Sequence, residues 1–177
     1  MNAPSTCARV TAVLVRREHA TDVLAIAEIH KAAFEGEVES QLVTALRASD
    51  AWLPPLSLVA ELNGKVVGHV VCTRAHVGEV PALGLGPLGV DPTVQKSGVG
   101  SALMHAVLAA ADALDEPVVV LLGHTDYYPR FGFEPATRFG ITPPVPEWGD
   151  HFQARPLSTY DSTIQGPFAY APPFNEL

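Results

Sequence analysis

The amino-acid sequence predicts an α/β protein, α+β by stricter naming, folded as one domain over residues 1–177. Three observations support this prediction: an Asn-Gly hairpin signal at 63–64, an amphipathic helical pattern over 98–114, and apolar strand-like runs at 83–90 and 118–122 around that helix. A buried strand, a helix and a second buried strand in this order are typical of a parallel crossover unit. A chain of 177 residues has the length of one compact domain.

The elements before the hairpin are a strand and two helices. Residues 10–15 are apolar and β-branched enough for the strand, and Thr21 stands where the N-cap of the first helix is expected. The second helix is predicted over 39–48, where apolar residues share one face, and it must end before the Pro-Pro pair at 54–55.

The hairpin and the C-terminal segment complete the predicted fold. The hairpin strands are expected at 57–62 and 65–73, because both runs are rich in apolar and β-branched residues. The segment 142–177 holds seven of the 16 prolines, which excludes long helices and leaves room for one short strand near 152–157. We therefore expect this C-terminal segment to wrap a core formed by 10–141.

Composition and charge exclude several classes of protein. The chain carries 11 Lys and Arg against 19 Asp and Glu, a formal charge of -8, and so lacks the basic field that nucleic-acid binding requires. No run of about 18 apolar residues indicates a membrane span. Cys7 and Cys72 are too few for a disulfide framework, and no histidine, cysteine and carboxylate group has metal-ligand spacing. Without a secretory pattern, the cytoplasm is the expected location.

The glycine-rich run 84–89 matches the pattern G-x-G-x-x-G of dinucleotide-binding proteins. That pattern needs a strand before it and a helix after it, whereas Pro87 interrupts the run and Asp91-Pro92 follows it. A dinucleotide-dependent oxidoreductase is therefore the weaker alternative. Glycines and a proline inside a buried strand indicate a bulge, or a close approach of the backbone by a ligand.

The segment 95–101, of sequence QKSGVGS, lies between a buried strand and the clearest helical pattern. Successive small residues allow backbone N–H groups to point outward at a helix N-terminus, where the helix dipole favours an anion such as pyrophosphate. Lys96 adds one positive charge. The alternative is an ordinary glycine-rich turn into a helix. A Walker A loop is excluded, because no Gly-Lys-Ser or Gly-Lys-Thr follows the glycines.

This segment resembles the acetyl-CoA pyrophosphate loop of GNAT acetyltransferases, since Gln95, Gly98 and Gly100 match the family pattern Gln/Arg-x-x-Gly-x-Gly/Ala. Residues 88–92 are similar to the fourth strand of that family and its exit. Residues 127–133 are similar to the short helix that ends in Gly-Phe beside CoA. The order of the predicted elements agrees with this family as well.

The resemblance implies a fold and a co-substrate. The fold is a mixed, mostly antiparallel sheet with helices on both faces and a splayed central pair of parallel strands. The co-substrate is acetyl-CoA. The residues that the resemblance assigns to acetyl-CoA are Leu88, Gly89, Val90, Gln95, Lys96, Ser97, Gly98, Val99, Gly100, Ser101 and Phe131. The paired tyrosines and the Leu-Gly-His at 122–124 are similar to a subgroup of bacterial predicted N-acetyltransferases of unknown substrate.

The implied activity is transfer of an acetyl group from acetyl-CoA to an amine, by direct attack in a ternary complex. In the family, a tyrosine four residues before the glycine of Gly-Phe protonates the departing thiolate, and Tyr128 has that position. The alternative is that Tyr127 and Tyr128 only pack against their neighbours. For the whole protein, the alternative is a non-catalytic acyl-CoA-binding or sensor domain.

The group that accepts the amine proton has several candidates. Family members often carry a glutamate on the fourth strand, but 83–90 contains no ionisable residue. The candidates near strand ends and loops are Glu37, Glu39, His76, Glu79 and His124. His69 lies within a strand pattern and is interpreted as a core histidine. The net charge favours a neutral or cationic small-molecule or peptide amine as acceptor, and a homodimer is compatible with this interpretation.

Overall fold

The computed structural model describes residues 12–176. Three α-helices lie in this part of the chain: α1 Val23–Phe34, α2 Val38–Arg47 and α3 Val99–Ala113. The same part forms nine β-strands: β1 Leu14–Arg17, β2 Ser57–Leu62, β3 Lys65–Val77, β4 Val80–Val90, β5 Val118–Leu122, β6 Glu134–Pro135, β7 Ile141–Thr142, β8 Phe152–Pro156 and β9 Gly166–Ala169. None of the helices between residues 12 and 176 is long and apolar enough to cross a membrane.

The main sheet has the spatial order β1-β2-β3-β4-β5-β8-β6, and β9 pairs with the far end of β3. Along this order every neighbouring pair is antiparallel except β4 and β5. A Cβ at Gly68 would meet α3, whereas the next residue, His69, contacts α1, so the two helices pack on opposite faces of the sheet. The predicted fold class is therefore confirmed.

The two parallel strands separate because β4 is bulged. They pair over only two residues each, 83–84 with 119–120. Just beyond, the register between β3 and β4 shifts, so that 85–88 on β4 lie opposite 70–72 on β3. Four residues thus face three, and an extra residue bends a strand and disrupts its pairing. The rest of β4 diverges from β5 and opens a cleft between them.

The bulge coincides with the glycine-rich run 84–89, which lies inside β4 and not between a strand and a helix. The dinucleotide-binding interpretation is therefore wrong, and the bulge interpretation is confirmed. Gly89 has a separate reason to be glycine, because a Cβ there would lie 2.7 Å from Nδ1 of His30 on α1.

The N-terminal elements differ in detail from the prediction. The first strand lies at Leu14–Arg17 instead of 10–15, and residues 10 and 11 lie outside the described residues. Asp22, and not Thr21, precedes α1. The carboxylate of Asp22 accepts a hydrogen bond from the backbone N–H of His19 at 2.7 Å, which organises the 3₁₀ turn before the helix.

The hairpin is confirmed, and its second strand is longer than predicted, since β3 extends to Val77. In the C-terminal segment, β8 matches the strand predicted near 152–157. That segment also contains β9, of sequence Gly-Pro-Phe-Ala, which was not predicted. Proline lacks an N–H donor and so argues against a strand in sequence, but Pro167 takes part through its carbonyl, which accepts a hydrogen bond from the N–H of Gly78 at 2.8 Å.

Two hydrophobic cores lie on either side of β5. One is centred on Leu103 and Met104 of α3, which are fully buried against the sheet. The other lies beneath the C-terminal segment, where Phe152 and Phe168 pack with Val120 of β5. The C-terminal segment is thereby anchored beside the cleft between β4 and β5.

Candidate active site

Two cavities open on the cleft where β4 leaves β5. The first has a volume of about 690 Å³ and lies between the end of β4, the N-terminus of α3 and the segment 127–130. The residues that line it are Ala33, Phe34, Leu88, Val90, Gln95, Lys96, Gly98, Gly100, Ser101, Tyr127 and Arg130.

The N-terminus of α3 faces the first cavity. Gly98 precedes the helix with a φ of +93°, in the left-handed region where a side chain causes strain. The backbone N–H groups of the first helical turn have no acceptor within the helix, and the helix dipole adds partial positive charge there. Lys96 is exposed beside them and adds a full charge. This end of the cavity therefore suits a pyrophosphate.

The loop before α3 is held against the end of β4. The side-chain amide of Gln95 donates a hydrogen bond to the carbonyl of Val90 at 3.1 Å. The hydroxyl of Ser97 donates to the carbonyl of Val94 at 2.5 Å, so Ser97 closes the turn and does not line the cavity. The side chain of Val99 is buried in the core, which leaves only its backbone for a ligand.

The backbone groups of Leu88 and Val90 face the cleft. The N–H of Asp91 donates to the carbonyl of Val67 at 2.9 Å, so alternate residues of β4 exchange hydrogen bonds with β3. By this alternation Gly89 bonds to β3, whereas its two neighbours direct their N–H and C=O groups away from β3. Gly89 is predicted to contact acetyl-CoA, but its polar groups belong to the sheet.

The second cavity, also of about 690 Å³, lies in the cleft itself, between the bulge of β4, the end of β5, α2 and the C-terminal segment. Phe34 and Leu88 line both cavities, so the two cavities meet there. The other residues that line the second cavity are Glu39, Leu42, Leu85, Gly86, Pro87, Leu122, Gly123, His124, Tyr128, Pro144, Val145, Trp148, Tyr170, Phe174 and Asn175.

The paired tyrosines face different cavities. Tyr127 lines the first, where the guanidinium of Arg130 lies 4.8 Å from the centre of its ring. Tyr128 lines the second, and burial, with a smaller effect of Tyr127, raises the pKa of its phenol to about 12. Tyr128 therefore keeps its proton throughout the physiological pH range. Phe131, which is predicted to contact acetyl-CoA, belongs to the core beneath.

Most, but not all, of the predicted acetyl-CoA residues line the first cavity. Those that line it are Leu88, Val90, Gln95, Lys96, Gly98, Gly100 and Ser101. The side chains that do not are those of Ser97, Val99 and Phe131, together with Gly89. The prediction omits Ala33, Phe34, Tyr127 and Arg130. Arg130 could have been found from the sequence, because it is the one cation in the motif 127–133. Ala33 and Phe34 could not, because they come from a helix far away in the chain.

The five candidates for accepting the amine proton lie in different parts of the structure. Glu39 and His124 line the second cavity. Glu37 forms an ion pair with a lysine on the surface. His76 and Glu79 lie at the turn between β3 and β4, at the opposite end of β4 from the cleft. Two of the five candidates are thus placed to act on a ligand in the cleft.

A buried chain of hydrogen bonds joins α1 to the sheet behind β4. Nε2 of His30 lies 2.8 Å from Nδ1 of His69, and Nε2 of His69 lies 2.9 Å from Oγ of Ser57. Ser57 donates to the carboxylate of Glu18 at 2.5 Å, and Arg47 donates to both oxygens of the same carboxylate. Both histidines are fully buried. The interpretation of His69 as a core histidine is confirmed.

The charge of Glu18 orients the protons of this chain. Burial alone would raise the pKa of Glu18, but its hydrogen bonds lower it to about 2. Burial lowers the pKa of His30 to about 3 and also lowers that of His69. Because Ser57 donates to Glu18, His69 donates from Nε2 and accepts at Nδ1. Nδ1 of His30 is then an unprotonated acceptor, and it has no partner among residues 12–176.

The splayed strand pair and the helix N-terminus beside it form a site that suits a phosphate-bearing ligand. The family model described as "Acetyltransferase (GNAT) domain" matches residues 14–136, and the chain belongs to this family. It is an acetyltransferase whose co-substrate is acetyl-CoA. The first cavity suits this molecule, because the N-terminus of α3, Lys96 and the edge of β4 at Leu88 and Val90 all line it.

Two curated relatives come from Escherichia coli K12. The chain is 35% identical to the uncharacterized N-acetyltransferase YjhQ over 161 residues, covering 86% of the chain and 89% of the relative. It is 32% identical to the uncharacterized N-acetyltransferase YhbS over 157 residues, covering 87% of the chain and 92% of the relative.

Two similar solved structures are complexes with CoA or with acetyl-CoA. The structure of YhbS from Escherichia coli in complex with CoA has a TM-score of 0.84 and 28% identity, and the match covers 99% of this chain and 96% of that one. A GNAT family acetyltransferase from Brucella melitensis in complex with acetyl-CoA has a TM-score of 0.76 and 32% identity, covering 93% and 99%.

Proposed function

We propose that the protein transfers the acetyl group of acetyl-CoA directly to the nitrogen of an amine, with both substrates bound at once. The observation that carries this proposal is the meeting of two cavities at Phe34 and Leu88, inside the cleft between β4 and β5. Ligands that enter from the two cavities would have their reacting ends side by side. Such positioning removes a large entropic part of the reaction barrier.

Acetyl-CoA supplies an activated acetyl group as a thioester. We assign its pyrophosphate to the first turn of α3 and to Lys96, where backbone N–H groups and positive charge coincide. We assign its pantetheine arm to the edge of β4. The carbonyl of Val90 is bonded to Gln95, so the N–H of Val90 and both backbone groups of Leu88 remain for this ligand.

Tyr128 is the residue that we propose to interact with the departing sulfur of CoA. The pKa of its hydroxyl is about 12, whereas a typical thiol has a pKa of about 8.5. Tyr128 therefore donates a hydrogen bond to the developing negative charge before any proton moves. The amine loses one proton as the C–N bond forms, and the sulfur gains one. Glu39 and His124 are the side chains of the second cavity placed to accept the amine proton.

The test is turnover of acetyl-CoA with a panel of amines, followed as released thiol. Tyr128→Phe keeps the ring and removes the hydroxyl, so turnover should fall about 100-fold to 10,000-fold while acetyl-CoA affinity is unchanged. Tyr127→Phe is the matched control, because it removes the same group in the other cavity, and its effect should be mild. Full turnover by Tyr128→Phe, where the chemical step limits the rate, would show that the hydroxyl of Tyr128 does not assist the departure of the sulfur.

A further inference from the structure

The second cavity has an aromatic wall that the C-terminal segment supplies. The ring centres of Trp148 and Tyr170 are 6.2 Å apart, and those of Tyr170 and Phe174 are 4.7 Å apart. Tyr128 and Phe34 line the same cavity from the other elements. Aromatic rings bury large apolar areas and stack edge to face or offset on other rings. The wall therefore suits a ligand with an aromatic or branched apolar body.

The cavity also has one site of negative charge. Glu39 is the single acidic residue that lines it within the described part of the chain, and no lysine or arginine lines it. Glu39 is half-buried in the first turn of α2 and takes part in none of the ion pairs found between residues 12 and 176. A half-buried carboxylate without a cation attracts an ammonium group and repels another carboxylate.

The C-terminal segment, which lines one side of the cavity, is joined to the sheet at two places. Its strand β9 pairs with β3, its strand β8 pairs with β5, and Phe168 on β9 is 3% exposed. The cavity that this segment lines has a volume of about 690 Å³, which is typical of sites for small molecules.

We propose that the acceptor is an amphiphilic primary amine: one ammonium group on a short chain that carries an aromatic or branched apolar body, without a carboxylate. This inference rests on the proposed acetyl transfer. The ammonium would pair with Glu39, and the apolar body would lie against Trp148 and Phe174. In the reaction the C–S bond of the thioester breaks and a C–N amide bond forms. The ammonium first loses a proton to become the attacking amine, and the nitrogen loses a second proton as the amide forms. The sulfur of CoA gains one proton, and the other passes to solvent.

The experiment compares three amines that differ by one feature at a time. The first is 2-phenylethylamine, the second is phenylalanine, which adds a carboxylate, and the third is propylamine, which lacks the ring. Acetyl-CoA turnover and the mass of each product are measured. We expect kcat/KM for 2-phenylethylamine to exceed that for each of the others by about tenfold or more, the ratio expected for one misplaced group in a binding pocket.

Two variants test which residues make this choice. Glu39→Gln should reduce the preference for 2-phenylethylamine over phenylalanine, whereas the matched variant Glu37→Gln, whose residue is outside the cavity, should leave it unchanged. The ratio of the two kcat/KM values is informative, because loss of a proton acceptor would slow the acetylation of both amines equally. Trp148→Ala should reduce the preference over propylamine. Since Trp148 also packs on Phe152, Phe174→Ala provides the same test if the first variant does not fold.

The failures of the two proposals are distinguishable. If phenylalanine or propylamine is acetylated at least as well as 2-phenylethylamine, or if Glu39→Gln leaves the ratio unchanged, the acceptor class is wrong and acetyl transfer stands. If no amine reacts although acetyl-CoA raises the melting temperature, acetyl transfer to a small amine is itself wrong, and the acceptor class fails with it.

Discussion

The buried histidine pair should make the stability of this protein depend on pH in the near-neutral range. The pKa of His30 is lowered to about 3 in the folded protein, whereas an unfolded histidine has a pKa of about 6.5. Between these values the unfolded chain binds a proton that the folded chain does not. Stability is therefore complete above about pH 6.5 and falls as the pH drops below it, by about 1.4 kcal/mol per pH unit for one such histidine.

When the pH is lowered from 7.5 to 5.5, the titration of His30 alone should reduce the free energy of unfolding by about 1.4 kcal/mol. His69, whose pKa is also lowered by burial, adds to the loss in the same direction. Glu18, with a pKa of about 2, contributes only at lower pH, below the unfolded glutamate value of about 4.3. Between pH 7.5 and 5.5 the change in stability is therefore expected to come from the two histidines and not from Glu18.

The assay is urea unfolding at both pH values. For an m-value of about 2 kcal/mol/M, the loss from His30 moves the midpoint down by about 0.7 M, and the observed shift should be larger. His30→Gln removes one of the two buried imidazoles, so its shift between the two pH values should be smaller than in the wild type. His105→Gln is the matched control, because His105 is exposed on α3 and should keep the wild-type shift.

A wild-type midpoint that is the same at both pH values would refute the reasoning, because two buried neutral histidines require a shift. A reduction of the shift by His105→Gln as large as that by His30→Gln would also contradict the prediction, since the pH dependence would then come from surface charge.

Two further predictions concern glycines beside the cleft. Acetyl-CoA at ~100 times its dissociation constant should stabilise the wild type by about 2.7 kcal/mol, and Gly98→Val should lose this stabilisation, because a φ of +93° disfavours a side chain at the loop; a retained thermal shift would argue against pyrophosphate at α3. Gly89→Ala should cost about 1–3 kcal/mol of unfolding free energy, because its Cβ would lie 2.7 Å from His30, whereas Gly36→Ala, with its nearest neighbour at 3.8 Å, should change little. Equal urea midpoints for these two variants would show that α1 is not packed tightly on β4.

The candidate site was predictable from sequence where its residues are contiguous. Lys96 and Gly98 lie in the loop before α3, and Gly100 and Ser101 lie in its first turn. The small side chains and the charge of this stretch are visible in the sequence itself. The sequence did not show that the side chains of Val99 and Phe131 turn into the core, because a motif indicates which residues are near a ligand and not which way each side chain turns. The helix of α3 turns Val99 into the core, while its neighbours remain at the cavity.

The second cavity could not be predicted in this way. Trp148, Tyr170 and Phe174 lie in a proline-rich segment without helical or strand periodicity, so no local pattern assigns them to one surface. They meet only because β8 pairs with β5 and β9 pairs with β3. The contact between His30 and His69 is of the same kind, since 39 residues separate the two rings.

The amino-acid sequence by itself determined the features that depend on neighbouring residues. These are the Asn-Gly hairpin, the long amphipathic helix with its glycine-rich N-terminus, and the net negative charge, because turn geometry, helical periodicity and composition act over a few residues at a time. Only the tertiary structure decided how far β4 departs from β5, which cavity each tyrosine faces, and which rings line the second cavity. Those features arise from pairing and packing between segments distant in the chain, and their energies depend on the whole fold.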